Sequence, residues 1–179
     1  MRFRSRYRKL GYILGSWKAR LLGASVEKGV RIALGAEIDI WSGGAIRIGA
    51  GSVVHSGVKL RTYPGGQITI GKDCSINPYC VLYGHGGLTL GDGVRVAAHT
   101  VMIPANHRFS DALGAIRNQG LDQQGIIIGN DVWIGAGVRI LDGVTIGDGC
   151  VIAAGAVMNR STTDRGVYAG VPAKLVKRR

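Results

Sequence analysis

Two of the four histidines in this 179-residue sequence stand where packing does not explain them. His107 lies in Pro104-Ala105-Asn106-His107-Arg108-Phe109, a polar stretch out of step with every buried position. His85 lies in Tyr83-Gly84-His85-Gly86-Gly87, at an extended corner of the chain. His55 follows an inward Val54, and His99 takes the fourth place after Val96, so both read as outward, structural residues. Imidazole titrates near neutral pH and can take a proton from a hydroxyl or an amine. The partners of other histidine chemistries are missing. There is no Ser–His–Asp order, no phosphate loop and no dinucleotide glycine fingerprint. The carboxylates of Asp73, Asp131 and Asp148 fall at turns, so no metal site is expected. A histidine without nucleophile or metal is a general base. It would deprotonate an acceptor that attacks a donor already activated for transfer.

Such a base needs a rigid frame, and the frame shows as a period. Ile128, Ile134, Ile140, Ile146, Ile152 and Met158 recur every sixth position. The same step joins Leu34 to Ile40, then Ile48, Val54 and Leu60, then Ile70, Ile76 and Leu82, then Leu90, Val96 and Met102. That spacing fits neither a helix nor a lone strand. It predicts an all-β parallel β-helix of hexapeptides, with the aliphatic residue inward and about 18 residues to a coil. Leu34 to Ile48 spans 14 residues, which predicts a weak first coil. Ile48 to Ile70 spans 22, Ile70 to Leu90 spans 20, and Leu90 to Ile128 spans 38. These excesses all follow a third hexad, so they leave the prism at one edge. The longest is an extruded loop near 103–127, and His107 lies where it begins. Insertions in a solenoid gather on one face, which is often the binding face.

Net charge is +12 and lies at the two ends. Residues 1–31 carry nine Lys/Arg against one Glu, residues 32–173 carry ten basic against ten acidic, and Lys174, Lys177, Arg178 and Arg179 close the chain. A nucleic-acid binder concentrates charge on a folded face with interleaved aromatics, so no nucleic acid is expected. Anionic lipid or a phosphorylated ligand fits two basic ends better. Cys74, Cys80 and Cys150 share the fifth hexad position and read as buried, reduced thiols in a cytoplasmic protein. No apolar run is long enough to span a membrane, and Lys18 and Arg20 break the early apolar stretch too soon for a cleaved leader. The organisation expected is a basic arm and capping helix over 1–29, the β-helix over 30–165, and a basic tail over 166–179. Residues 1–9 read as a solvated arm. Leu10, Ile13, Leu14, Trp17, Leu21 and Leu22 share a helix face that either caps the open end or lies on a membrane, with Gly11 and Gly15 weakening the helix. Peripheral membrane contact through 1–22, at the inner face, is therefore an expectation.

The block from Ile128 through Gly129-Asn130-Asp131-Val132-Trp133-Ile134-Gly135 to Tyr168-Ala169-Gly170-Val171-Pro172-Ala173-Lys174 resembles the hexapeptide-repeat acyltransferases with a left-handed β-helix. The resemblance covers about residues 30–176. Within that family the Tyr83–Gly87 run, Asn106-His107 and Asn118-Gln119-Gly120 look most like enzymes that O-acetylate bacterial surface polysaccharides. The resemblance implies acetyl-CoA as donor and a homotrimer with its sites between adjacent prisms. His107 matches the family's catalytic histidine. His85, Asn106, Asn77 and Gln119 are the residues expected to bind the acceptor. Trp133, Ala136, Ala154, Arg160, Lys174 and Lys177 are those expected to bind acetyl-CoA. The family often has Thr-Lys where Asn159 and Arg160 stand here.

The function expected is O-acetylation of a sugar hydroxyl, free or on a lipid-linked glycan, in lipopolysaccharide, capsule or exopolysaccharide synthesis. N-acetylation of an amino-sugar nucleotide is the alternative in the same class. A trimeric metalloprotein of the carbonic-anhydrase kind would need a histidine triad that these spacings do not supply. A non-catalytic β-helix would bind no CoA.

Overall fold

In the computed structural model, which describes residues 2–179 and side chains from Lys9 onward, the hexads close into six stacked coils. Each coil gives one short strand to each of three parallel sheets, and each sheet is one face of a prism. The result is the expected left-handed parallel β-helix. The inward aliphatics lie in register: Ile48 pairs with Ile70, Ile70 with Leu90, Leu90 with Ile128, and Ile128 with Ile146. Three of those four steps carry the interval excesses, so the insertions are absorbed at the corner where the third sheet hands over to the next first sheet.

A column of Ile, Val and Leu fills the interior, each at most 1% exposed from Ile46 through Ile70 and from Ile76 through Leu90. Polar groups that enter it are satisfied. Ser52 Oγ donates to Gly71 O at 2.8 Å and accepts from Cys74 N at 2.9 Å, and Thr100 Oγ1 donates to Gly135 O at 3.1 Å. All three cysteines are buried free thiols. Burial pushes Cys80 up to about 11, so it packs as a small apolar residue.

The first coil corrects the reading of Leu34 and Ile40. Leu34 is 49% exposed at a turn, and the inward residues are Val26, Ile32 and Ile38, paired with Ile48, Val54 and Leu60. From Val26 to Ile48 is 22 residues, the same interval as the next coil, so the coil expected to be weak is regular. The parallel ladder starts at Ser25–Val26, ahead of residue 30.

Helix α1, Arg2–Leu21, covers the open N-terminal end. Its backbone is helical through most of the stretch read as a solvated arm; the side chains of 1–8 lie outside the described residues. The capping face is not the apolar stripe. Ser16 Oγ donates to Val30 O at 3.2 Å and accepts from Ile32 N at 3.1 Å, while Ala19 is fully buried. Gly15 is required by this contact, because a Cβ there would stand 2.1 Å from Ile32 O. The helix approaches the coil through small residues and leaves its large apolar residues outside. Among the described residues no helix is long and apolar enough to cross a membrane.

At the other end Gly166–Gly170 joins the second sheet in parallel, and Ala173–Arg178 folds back on it antiparallel. Tyr168, 8% exposed, takes the last inward place, opposite Ile152. The excursion leaves after Val101–Met102 and returns at Ile126–Ile128. It has structure of its own: an antiparallel ribbon of Asn106–His107 with Leu121–Asp122, and a short 3-10 turn at Ile116–Asn118.

Candidate active site

The third–first edge gathers two of the four histidines, His85 and His107. Successive insertions there stack rings: Trp41 lies on Tyr63 with centroids 5.8 Å apart, and Tyr63 lies on His85 at 3.7 Å and 19°. The stack holds the His85 ring flat. Its Nδ1 is buried without a hydrogen-bond partner among the described residues. Burial lowers the His85 pKa below its ordinary 6.5; Asp142 opposes that and His107 adds to it. His85, His107 and Asp142 therefore share one electrostatic neighbourhood, and His85 is neutral at neutral pH.

His107 is carried by the ribbon, whose backbone is braced on several sides. It pairs with Leu121, Arg108 Nε meets Asp122 Oδ1 at 2.7 Å, and Arg108 N donates to Gly120 O at 3.1 Å. Asp142 Oδ1 accepts from Gln124 N and Gly125 N, both at 2.9 Å, and so pins the returning chain. Gln119 spends its amide inside the loop, accepting from Asp111 N at 3.0 Å and donating to Asp111 O and Gly114 O at 2.9 Å. The His107 side chain is left exposed in a groove of about 690 Å³, beside Asn106, Arg108, Phe109 and Ser110. A braced backbone and an open imidazole suit proton transfer to a bound molecule.

The second sheet and the corner after it carry most of the other expected residues. Trp133, 57% exposed, shares a groove of about 540 Å³ with Arg95, Val151, Lys177, Arg178 and Arg179. Arg179 ties the tail down through Asp131 at 2.9 Å. Ala136 and Ala154 are exposed one above the other at the second–third corner, joined by Gly155 N donating to Ala136 O at 2.8 Å. Lys174 is on the returning strand, paired with Ala169. An apolar ring face, open backbone at small residues and a basic end match the parts of a pantetheine arm and its phosphates.

Two expected residues do not join the groups they were expected to join. Arg160 follows Val157–Met158 of the third sheet, outside the Trp133 groove. Asn77 is at the second–third corner, its Nδ2 donating to Val96 O at 2.8 Å between coils, away from the His107 edge. Within one chain the Trp133 groove lies on the second sheet and reaches back to Gly93 and Asp131 at the first–second corner, whereas His85 and His107 stand at the third–first edge.

Sequence reasoning passed over Tyr79. At the second–third corner Tyr79 (φ 62°) and His99 (φ 61°) hold left-handed backbone and stack at 5.3 Å. Gly57, Gly137 and Gly155 hold the equivalent turn place in other coils. Aligning the hexads would have exposed two bulky residues at a glycine position, a strain of the kind that clusters at functional sites. Asp142 and Tyr63, which set the environment of His85, carry no comparable signal. Among the described residues no three His, Cys, Asp or Glu side chains converge as a metal site would need.

Residues 125–160 match the family model "Bacterial transferase hexapeptide (six repeats)". The chain is 34% identical over 136 residues to Rv3034c of Mycobacterium tuberculosis, named as an acetyltransferase; the match covers 72% of this chain and 43% of that protein. The chain thus spans less than half the length of that relative. It is 28% identical over 142 residues to WbbJ of Escherichia coli, named for O-acetyl transfer in lipopolysaccharide biosynthesis, covering 75% of this chain and 72% of WbbJ. Among solved structures it superposes with a TM-score of 0.80 and 26% identity on AntD, an N-acyltransferase from Bacillus cereus, in complex with dTDP-4-amino-4,6-dideoxyglucose and coenzyme A, covering 92% of this chain and 88% of that one. The hexad period, the six registered coils and these likenesses make the chain similar to the bacterial hexapeptide-repeat transferases, whose repeat it carries over residues 125–160.

Proposed function

We propose that this protein transfers an acetyl group from acetyl-CoA to a sugar hydroxyl during synthesis of a bacterial surface polysaccharide, with His107 as general base. The observation that carries the reading is His107 itself, exposed on a braced ribbon beside a second, neutral imidazole. Acetyl-CoA supplies a thioester carbonyl already activated for attack. His107 takes the acceptor's hydroxyl proton as that oxygen attacks the carbonyl carbon, and the proton then passes to the departing sulfur. His85 and Asn106 orient the acceptor. Trp133, Ala136 and Ala154 hold the pantetheine, with Lys174 and Lys177 on the CoA phosphates; Arg160, outside that groove, takes no part in this reading. Asn77 and Gln119 act by holding the coil and the loop. The donor groove on the second sheet and the base at the third–first edge are separated within one prism, which supports a homotrimer in which one copy supplies the base and its neighbour the groove. The acceptor on this reading is a lipid-linked glycan at the cytoplasmic face of the membrane.

The name of WbbJ favours oxygen as the acceptor atom. The superposition on AntD favours a second reading, acylation of the amine of an amino-sugar nucleotide. Acetyl-CoA consumption over a panel of polysaccharide fragments, sugars and amino-sugar nucleotides separates them. Turnover confined to hydroxyl acceptors is expected. Turnover confined to amino-sugar nucleotides replaces the first reading with the second, and failure to bind acetyl-CoA at all overturns both.

A further inference from the structure

Helix α1 meets the prism with one face and turns another outward. Leu10, Ile13, Leu14, Trp17 and Leu21, spaced as one helical stripe, are 51%, 55%, 46%, 63% and 82% exposed. A contiguous exposed apolar patch on a protein marks an interaction surface. The capping contact does not use this stripe. The sequence of the helix has charge of one sign: Arg2–Leu21 contains seven basic residues and no acidic one, with Lys9, Lys18 and Arg20 among the described side chains. Between the helix and the first coil lies a pocket of about 470 Å³, with Lys9, Arg20 and Arg31 among its lining and Tyr12, Ile13 and Trp17 as apolar walls. Cations over apolar walls suit an anion attached to a hydrocarbon.

We infer that this end of the prism docks on an anionic lipid bilayer. The stripe enters the headgroup boundary with the helix lying in the membrane plane, and the pocket takes a lipid phosphate. A second copy of the chain is the poorer occupant, because pairing these ends would bring together two helices that each carry basic residues, Lys9, Lys18 and Arg20 among them, and no acidic one. The inference does not rest on the acetyl-transfer reading, and its test uses no turnover.

The experiment is co-sedimentation of the full-length protein with phosphatidylcholine vesicles, with and without phosphatidylglycerol, at low and high salt. Binding is expected only with phosphatidylglycerol, and it should weaken as salt rises. Trp17→Ser with Leu21→Ser should cut affinity by more than about tenfold with the melting temperature unchanged, since both side chains are exposed. Arg20→Gln with Arg31→Gln should cost about fivefold for each charge removed. Ser16→Ala, which removes the capping hydrogen bonds, should lower the melting temperature but leave binding by the folded protein intact. Equal binding to neutral vesicles overturns the inference, as does a Trp17/Leu21 variant that binds like the wild type. If that variant instead loses a self-association measured by sedimentation equilibrium, and no vesicle binding is seen, a second copy covers the stripe and the lipid assignment is wrong.

Discussion

The third sheet has two long edges, and they follow opposite rules. At the edge it shares with the second sheet, the turn between strands has one fixed length through the upper coils. Exposed Ala136 and Ala154 stack there, and Gly135 lies so close to the next coil that a Cβ would stand 2.5 Å from Ala154 N. At the edge leading to the next first sheet, the interval varies from coil to coil, and the excess chain carries Trp41, Tyr63, His85 and the His107 ribbon. A turn of constant length makes a continuous wall along which an extended molecule can lie. A turn of variable length adds side chains without disturbing the core. On the proposed function, the wall and the second sheet beside it would take the donor, and the irregular edge the proton transfer.

The largest effect expected from this division is on turnover. His107→Ala should lower it by about 10²–10⁴, the usual contribution of a general base, with the melting temperature unchanged because the side chain is exposed and its backbone pairing survives. Kinetics beside a thermal melt check it; a variant that unfolds early would blur the two edges. The plain edge should respond in the other direction. Gly135→Ala drives a methyl into backbone at 2.5–2.9 Å, and overpacking of this kind costs about 1–3 kcal/mol. A denaturant melt with no loss would show that the wall is not closely packed.

The smallest effect concerns His85. Its folded pKa lies below the ordinary 6.5 through burial, so the unfolded chain binds that proton more readily. The stability it contributes is complete above 6.5 and is lost as pH falls through the lowered folded value. His85→Phe keeps the stack on Tyr63 and removes the titration, so part of the acid slope of stability should disappear. Acceptor KM should rise while kcat, set by His107, holds. Urea melts at about pH 7.5 and about pH 5.5 test the first part; an unchanged slope would mean that other groups carry all of it.

The hexad period made the coils, the shared edge of the insertions and His107 legible, because inward aliphatics and interval lengths are local properties. The phase of the first coil was not legible: Leu34 at a turn and Ile32 on a strand are the same kind of residue, and only pairing with Val54 distinguishes them. The helix near Leu10 was legible, but its docking face was not. The pattern pointed to the large apolar stripe, whereas contact is made by Gly15, Ser16 and Ala19 because the backbones must approach closely. The glycine read as weakening the helix is what lets it dock. The ribbon within the excursion depends on pairing across a long loop, Asn106 with Asp122, which no periodicity encodes.

The most direct test measures acetyl-CoA affinity beside turnover in His107→Ala and Trp133→Ala. The second sheet and the irregular edge predict opposite signatures. His107→Ala should bind acetyl-CoA within about twofold of wild type while turnover falls by about 10²–10⁴. Trp133→Ala should weaken acetyl-CoA binding by about tenfold or more, from the loss of an apolar ring face, and keep most of its turnover at saturating donor. Full turnover in His107→Ala, or unchanged acetyl-CoA affinity in Trp133→Ala, would contradict the division of donor and base between the second sheet and the irregular edge.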